Sequence, residues 1–313
     1  MATTYTETPD NFYEIELSVS TEINDIKHAF YQADRIFFYD ACSFQRHSNL
    51  KEAEKAILFQ YFEKQRITIF ITRCILMELS GDQHSLLKQY IDFIKGLNDA
   101  RVKVVLFNEE YAYSILSDCF SSIERINEFL MWAVRMVYHH PVSTVTNTLK
   151  SDSKLDSDVR EGKNLKSSDL YRRFFSAARG NKQHGDNLGE ELISICVHIL
   201  SYLPGVTDGK LCVITDDKGA ASKIDSVLKK NNPENRGSKI ILFSTPKLVQ
   251  HMFQEHIEIS EEEMINILSQ GVSDNIIIMG ITDYDLEVDS KISLSGRDLA
   301  RKIMEPNGIR VVF

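Results

Sequence analysis

Five short runs of β-branched and aromatic residues recur along the chain: RIFFY (35–39), ITIFI (67–71), VKVVLF (102–107), LCVIT (211–215) and KIILF (239–243). Their hydrophobicity is nearly continuous. A strand with one wet face alternates apolar and polar residues, whereas a strand covered on both faces by helices does not. The intervening stretches 50–64, 73–97, 109–138, 187–203, 218–230 and 245–256 carry helical spacing. Strand and helix alternate over most of the chain, which predicts an α/β layer structure around a mainly parallel sheet.

Several boundaries carry their own chemistry. Thr72 directly after the second run can cap a helix, as can Asp186 or Asn187 before the stretch 187–203. Thr245-Pro246 reads as a cap followed by a proline at the first helical position. The Ser-, Asp-, Lys- and Asn-rich stretch at about 141–186 is the least core-like and reads as an insertion, with LYRRFFSAAR (170–179) as a basic amphipathic helix inside it. Beyond residue 257 the pattern changes. SEEEMINILSQG carries a Ser-x-x-Glu capping box and a closing Gly, predicting a helix over 261–270. It is followed by NIIIMGIT (275–282), the acidic DYDLEVD (283–289), the capped helix SGRDLARKIM (295–304) and the strand candidate IRVVF (309–313). The expected organisation is one domain over 1–257 and a small β/α appendage over 258–313 that serves partner binding or oligomerisation.

Composition narrows the class. With 43% apolar and 26% charged residues the chain has the balance of a soluble globular protein. No apolar run approaches the ~18 residues that span a bilayer, and the N-terminus lacks a basic stretch followed by an apolar one. A cytoplasmic protein is expected. The five cysteines form no CxxC pair, and His139–His140, His251 and His256 lack zinc spacing, so free thiols and no zinc are expected. The net charge of −9 speaks against attraction of nucleic acid to the whole surface, yet residues 141–185 hold nine Lys or Arg against five Asp or Glu. That local surplus suits a guide for a polyanion, with Arg172, Arg173, Arg179 and Lys182 as candidate RNA contacts.

The chemistry concentrates in four acids. Asp40 ends FFYD, Glu78 follows ITRCILM, Glu190 opens the stretch after GDNLG, and Asp217 ends LCVITDD. Each falls at a strand's C-terminal end or in the first turns of a helix, and the C-terminal edge is where open parallel sheets bind ligands. Carboxylates held together raise one another's pKa unless a divalent cation offsets the repulsion, so the set implies a metal before it implies a substrate. Hard oxygen donors suit Mg²⁺ or Mn²⁺. Glu191 competes with Glu190 for the third position, and Asp216 stands beside Asp217.

Strand-Asp, strand-helix-Glu-Leu, Gly-Glu-helix and strand-Thr-Asp-Asp-Lys-Gly-Ala, in this order over roughly residues 30–256, resemble a PIN domain. The resemblance implies a three-layer α/β/α metal-dependent ribonuclease. It implies that Asp40, Glu78, Glu190 and Asp217 are the metal-binding acids and Thr215 the auxiliary hydroxyl. Products with 5′-phosphate and 3′-hydroxyl ends would follow. The chain departs from the family pattern in placing Ala41-Cys42 after the first Asp, so that Ser43 is the first hydroxyl, and in its length. The expected activity is endoribonuclease, in a toxin or defence role, with RNA as substrate before single-stranded DNA and with a regulatory protein or a second copy as partner. Three alternatives stand beside it. Single-strand or flap DNA cleavage would use the same site, and a catalytically idle scaffold would bind a protein through 258–313. A receiver-like phosphoacceptor would need its acidic pair after the first strand, where this chain has Asp40 alone.

Overall fold

The computed structural model describes residues 5–138, 143–229, 237–272, 275–281, 290–306 and 308–313. The acidic stretch 283–289 and His139–His140 lie outside them. The central sheet contains β1 (Arg35–Tyr39), β2 (Ile67–Thr72), β3 (Val104–Phe107), β4 (Leu211–Ile214) and β5 (Ile241–Phe243) in the order β3-β2-β1-β4-β5. Every pairing in it is parallel. β2, β3 and β4 are buried at every position, as their unbroken hydrophobicity predicts. Phe38 stacks on Phe70 at 5.2 Å and Phe70 on Phe107 at 5.4 Å, tying the first three strands together on one face. Such ring pairs add about 0.5–1.5 kcal/mol each beyond the area they bury. The outer edge of β3 is partly covered by Ser20, whose amide and carbonyl bond to Val104 and Leu106.

Helices cover both faces, giving the α/β/α layering. In chain order they are α1 (Ile23–Gln32), α2 (Ala41–Ser48), α3 (Glu52–Lys64), α4 (Arg73–Ser80), α5 (Lys88–Asp99), α6 (Tyr111–Leu116), α7 (Ile123–Tyr138), α8 (Thr144–Ser151), α9 (Ser153–Val159), α10 (Leu170–Gly180), α11 (Leu188–Leu200), α12 (Lys218–Lys229) and α13 (Thr245–Gln254). The single helix expected over 73–97 is two, because Gly81 at φ 55°, ψ −157° adopts a backbone open essentially to glycine alone and ends α4. The helix expected over 109–138 likewise divides into α6 and α7. Thr72 caps α4 as expected, its hydroxyl accepting from Ile75 N. α13 starts earlier than expected. Ser244 is its cap and Thr245 lies inside, which frees the Thr245 hydroxyl for other work.

Among its described residues the insertion is largely helical. α8, α9 and α10 pack on α7 and α11, with Leu149, Leu155, Val159, Phe174 and Phe175 in the core. The chain ends with α14 (Glu261–Ser269), α15 (Gly296–Met304) and a second sheet of β6 (Ile276–Ile281), β7 (Ser290–Leu294) and β8 (Arg310–Val311), antiparallel in the order β7-β6-β8. The capping box of Ser260 and Glu263 is formed. β6 alternates buried and exposed positions, the signature of a sheet with one wet face, and α14 rests on α3 and α13.

Candidate active site

Strand order creates the crevice. From β1 the chain moves outward through β2 to β3, then returns past β1 to build β4 and β5, so β1 and β4 flank a topological switch point. Their register pairs Tyr39 with Ile214 and so sets Asp40 beside Thr215 at the sheet's C-terminal rim. Asp40 is 4% exposed and donates its amide to Ile214 O at 2.9 Å. The Thr215 hydroxyl donates to Asp40 Oδ2 at 3.0 Å and accepts from Asp217 N at 3.2 Å. Thr215 thus joins the two rim acids. Cys42 Sγ donates to the same Asp40 oxygen at 2.8 Å. Burial pushes the Asp40 pKa up, against the Cys42, Thr215 and Ala41 donors that lower it, and the Asp217 charge pushes it further up.

Glu78, on α4, approaches from the neighbouring strand. Burial moves its pKa up to about 7. Lys182 opposes that shift, and the charges of Asp40 and Asp186 reinforce it. Asp40 and Glu78 therefore feel each other directly. Gly189, in the first turn of α11, is what allows the helix so close: a Cβ there would lie 2.7 Å from Glu78 Oε1 and 2.7 Å from Ile75 Cδ1. Glu190 is the next residue, half-buried in that first turn. Asp217 is exposed and spends one oxygen on the N-terminus of α12, accepting from Gly219 N at 2.6 Å and Ala220 N at 3.2 Å.

Two expected alternates are engaged elsewhere. Glu191 Oε2 accepts from Val145 N at 2.9 Å in the first turn of α8. Asp216 belongs to the scaffold. It accepts from Ser43 Oγ at 2.9 Å, Thr245 Oγ1 at 2.6 Å and Thr245 N at 2.8 Å, and pairs with Arg46 at 3.1 Å. Burial would raise its pKa, but Arg46, His47 and the Thr245 donors outweigh that and hold it low. Behind it runs a relay of one polarity. With the Thr245 hydroxyl donating to Asp216, His47 Nε2–H donates to Thr245 at 2.8 Å and Tyr39 O–H donates to His47 Nδ1 at 2.9 Å. Ser43, outside the family pattern, serves Asp216 and not the rim acids.

The proposed RNA contacts divide. Arg172 is exposed, 3.8 Å from Asp169, and Arg173 pairs with Asp158 at 3.0 Å. The adjoining Phe174 and Phe175 are core residues, so no ring of that run is presented for base stacking. Arg179 is buried. It pairs with Glu109 at 2.6 Å, Glu110 at 2.8 Å and Glu7 at 2.9 Å, and Glu109 in turn accepts from Cys74 N at 2.8 Å to fix the start of α4. Lys182 is buried as well. Its ammonium lies 3.0 Å from Glu78 Oε1 and bonds to Asp186, which also accepts from Gln183 N and Leu188 N ahead of α11. Neither residue is available to an RNA backbone at the surface, because each is consumed by carboxylates with which it was folded in. The Lys-x-x-x-Asp spacing of 182 and 186 was the sequence signal for that pairing.

The candidate donors are hard carboxylate oxygens: Asp40 and Glu78 are both desolvated and the Asp40 charge acts on Glu78, with Asp217 and Glu190 on flanking elements. As folded, Lys182 already sits against Glu78. Among the described residues no three His, Cys, Asp or Glu side chains converge as a set that could hold an ion. A cavity of about 190 Å³ opens on the other side of the β4 turn, lined by Arg46, Asp216, Lys218, Ile276 and Phe313 where the C-terminal sheet meets the main one. No helix among the described residues is long and apolar enough to cross a membrane. Comparison with protein-family models, with curated proteins and with solved structures found no match.

Proposed function

We propose that this protein is a PIN-type endonuclease of the cytoplasm that hydrolyses RNA with Mg²⁺ or Mn²⁺, in a toxin or defence role. One observation carries the reading. Asp40 and Asp217 flank the switch point of a β3-β2-β1-β4-β5 parallel sheet, joined by Thr215, and Glu78 couples electrostatically to Asp40 from the adjacent helix. Asp40, Glu78, Glu190 and Asp217 would hold the ion, which when bound supplies Lewis acidity and a more acidic water. The chain's own contribution is positional. Thr215 orients Asp40, and Gly189 lets the first turn of α11, which bears Glu190, approach Glu78 on α4. The buried base of the site keeps bulk water from screening the charges. No serine, cysteine or histidine nucleophile is needed.

The Lys182–Glu78 ion pair favours a second reading, a metal-free scaffold that binds a protein. A cluster that neutralises its own acid has less need of an external cation. Cleavage of a mixed pool of labelled RNA and single-stranded DNA, with Mn²⁺, Mg²⁺ or EDTA and beside Asp40→Asn, separates the two. Metal-dependent cutting lost in the variant supports the nuclease and names the polymer. Absence of cutting together with absence of calorimetric Mn²⁺ binding supports the scaffold.

A further inference from the structure

The acid site carries an ammonium of its own, and the N-terminal segment lies over it. Lys182 Nζ reaches Glu78 Oε1 at 3.0 Å with 2% of its side chain exposed, and Asp186 holds its other side. Tyr5 closes the outer face. Its ring centroid is 5.4 Å from Lys182 Nζ and its hydroxyl is 3.4 Å from His184 Nδ1. The following residues are fastened around the same corner. Glu7 accepts from Arg179 Nε at 2.9 Å and from Arg73 Nη1 at 3.0 Å, the latter on α4, the helix that bears Glu78. Asp10 N donates to His84 O at 2.7 Å, and Asn11 exchanges bonds with Leu86 at 2.9 and 3.0 Å, just past the end of α4. Residues 5–11 therefore form a strap, held over Lys182 by the Tyr5 ring and beyond it by bonds that use the Glu7 side chain and carbonyl, the Asp10 amide and the Asn11 side chain.

We propose that Lys182 is a built-in counter-ion that closes the acid site, that the Tyr5–Asn11 strap holds it there, and that divalent-ion binding requires it to swing away from Glu78. The inference rests on the nuclease reading and supplies its regulation. The physical argument is exclusion. An ammonium in contact with a carboxylate oxygen and a divalent ion on that same carboxylate are like charges at contact distance in a place with little water to screen them, so the two states compete. Lysine suits the role because its charge rides on a flexible four-carbon stem that can turn outward, while a guanidinium fork would be bound more rigidly. The strap adds cation–π and hydrogen-bond contacts to the closed state alone. Anything that draws residues 5–11 aside, such as the substrate's backbone or a protein that takes the strap as an extended peptide, shifts the balance to the open state.

Calorimetric titration of the full chain with Mn²⁺ tests this, comparing the wild type with Lys182→Met, Lys182→Arg and Tyr5→Ala. Removing the ammonium should tighten Mn²⁺ binding at least tenfold, loosening the strap by Tyr5→Ala should tighten it severalfold, and Lys182→Arg should not tighten it. Tyr5→Ala leaves the ion pair in place and keeps the test open if Lys182→Met lowers folding yield. Hydrogen exchange supplies a second readout, since saturating Mn²⁺ should speed exchange at the Asp10 amide. A wild type that binds Mn²⁺ as tightly as Lys182→Met and Tyr5→Ala, or unchanged exchange at saturation, would overturn the latch and leave the metal site standing. Failure of all four proteins to bind Mn²⁺ would remove the metal site and the latch together.

Discussion

At the scale of single residues, neighbouring acids have opposite assignments and opposite consequences. Asp40 is buried with its pKa raised, so its charge is held at a cost to folding, whereas Asp216 is stabilised by Arg46 and by three hydrogen bonds from Ser43 and Thr245. Asp40→Asn is expected to abolish cleavage, by 100-fold or more on the scale of lost charge-stabilising groups, while raising the melting temperature. Asp216→Asn is expected to lower stability by roughly 2 kcal/mol, below the 3–5 kcal/mol of a fully buried broken pair because Asp216 keeps some solvent contact. Thermal melts and cleavage assays on the two variants check both directions. His198 gives the pH dependence. It is fully buried, neither ring nitrogen has a hydrogen-bond partner among the described residues, and burial moves its pKa down to about 4. The unfolded chain takes up that proton near the ordinary 6.5 and the folded chain only near 4, so stability falls as pH drops through this window and is flat above it. His47, also lowered to about 4 by burial, adds a second such fall. His198→Leu should therefore remove about 3 kcal/mol of acid-side loss by pH 4 and make the acid limb of a pH–urea series shallower.

At the scale of elements, α4, α10 and α11 set the geometry of the rim. α11 can approach α4 only because residue 189 has no side chain. Gly189→Ala should cost about 1–3 kcal/mol in urea denaturation, as overpacking does, by pressing on Glu78 and Ile75. The same substitution should weaken Mn²⁺ binding, since it pushes the first turn that bears Glu190 away from Glu78. α10 is expected to show one basic face to RNA, but its basic and aromatic residues separate by position on the helix. Phe174, Phe175 and Arg179 point into the protein and Arg172 points out. Arg179→Met strands Glu109 in the core and should destabilise by on the order of 3–5 kcal/mol. Arg172→Ala should leave the melting temperature unchanged and weaken binding to single-stranded RNA, with a smaller salt dependence. A filter-binding series over ionic strength checks the latter; equal affinity of wild type and Arg172→Ala at low salt would remove α10 from the RNA path.

At the scale of the whole molecule, the order of strands places the site, the insertion braces it, and the N-terminus covers it. α8 to α10 supply Val145 to hold Glu191, Arg179 to fix Glu109 behind α4, and the approach to Lys182 and Asp186. What reads in sequence as a polar insertion is thus a support for the acid rim, with Arg179 and Lys182 spent inside the protein while Lys150, Lys154, Lys163, Lys166 and Arg172 stay exposed. The C-terminal sheet meets α13 through β8 on the Asp216 side, and its outward positions Ile277 and Met279 remain exposed.

The sequence by itself determined the strands and most helices, because continuous apolar runs and capping residues are local signals set by backbone hydrogen bonding and burial. β1 falls where RIFFY predicts, and the Ser260–Glu263 box closes α14 as its spacing predicts. Two things were decided only by tertiary structure. One is which of two adjacent acids is tied into the scaffold: Asp216 and Glu191 are bonded to Thr245 and Val145, and their neighbours Asp217 and Glu190 differ from them by one residue in the chain but by a change of face once strand and helix are packed. The other is the partner of each charge. Lys182 meets Glu78 across 104 positions and Tyr5 across 177 by numbering. Such pairings come from chain closure around the sheet, which no local pattern encodes, and they turned two expected RNA contacts into the internal counter-charges of the fold.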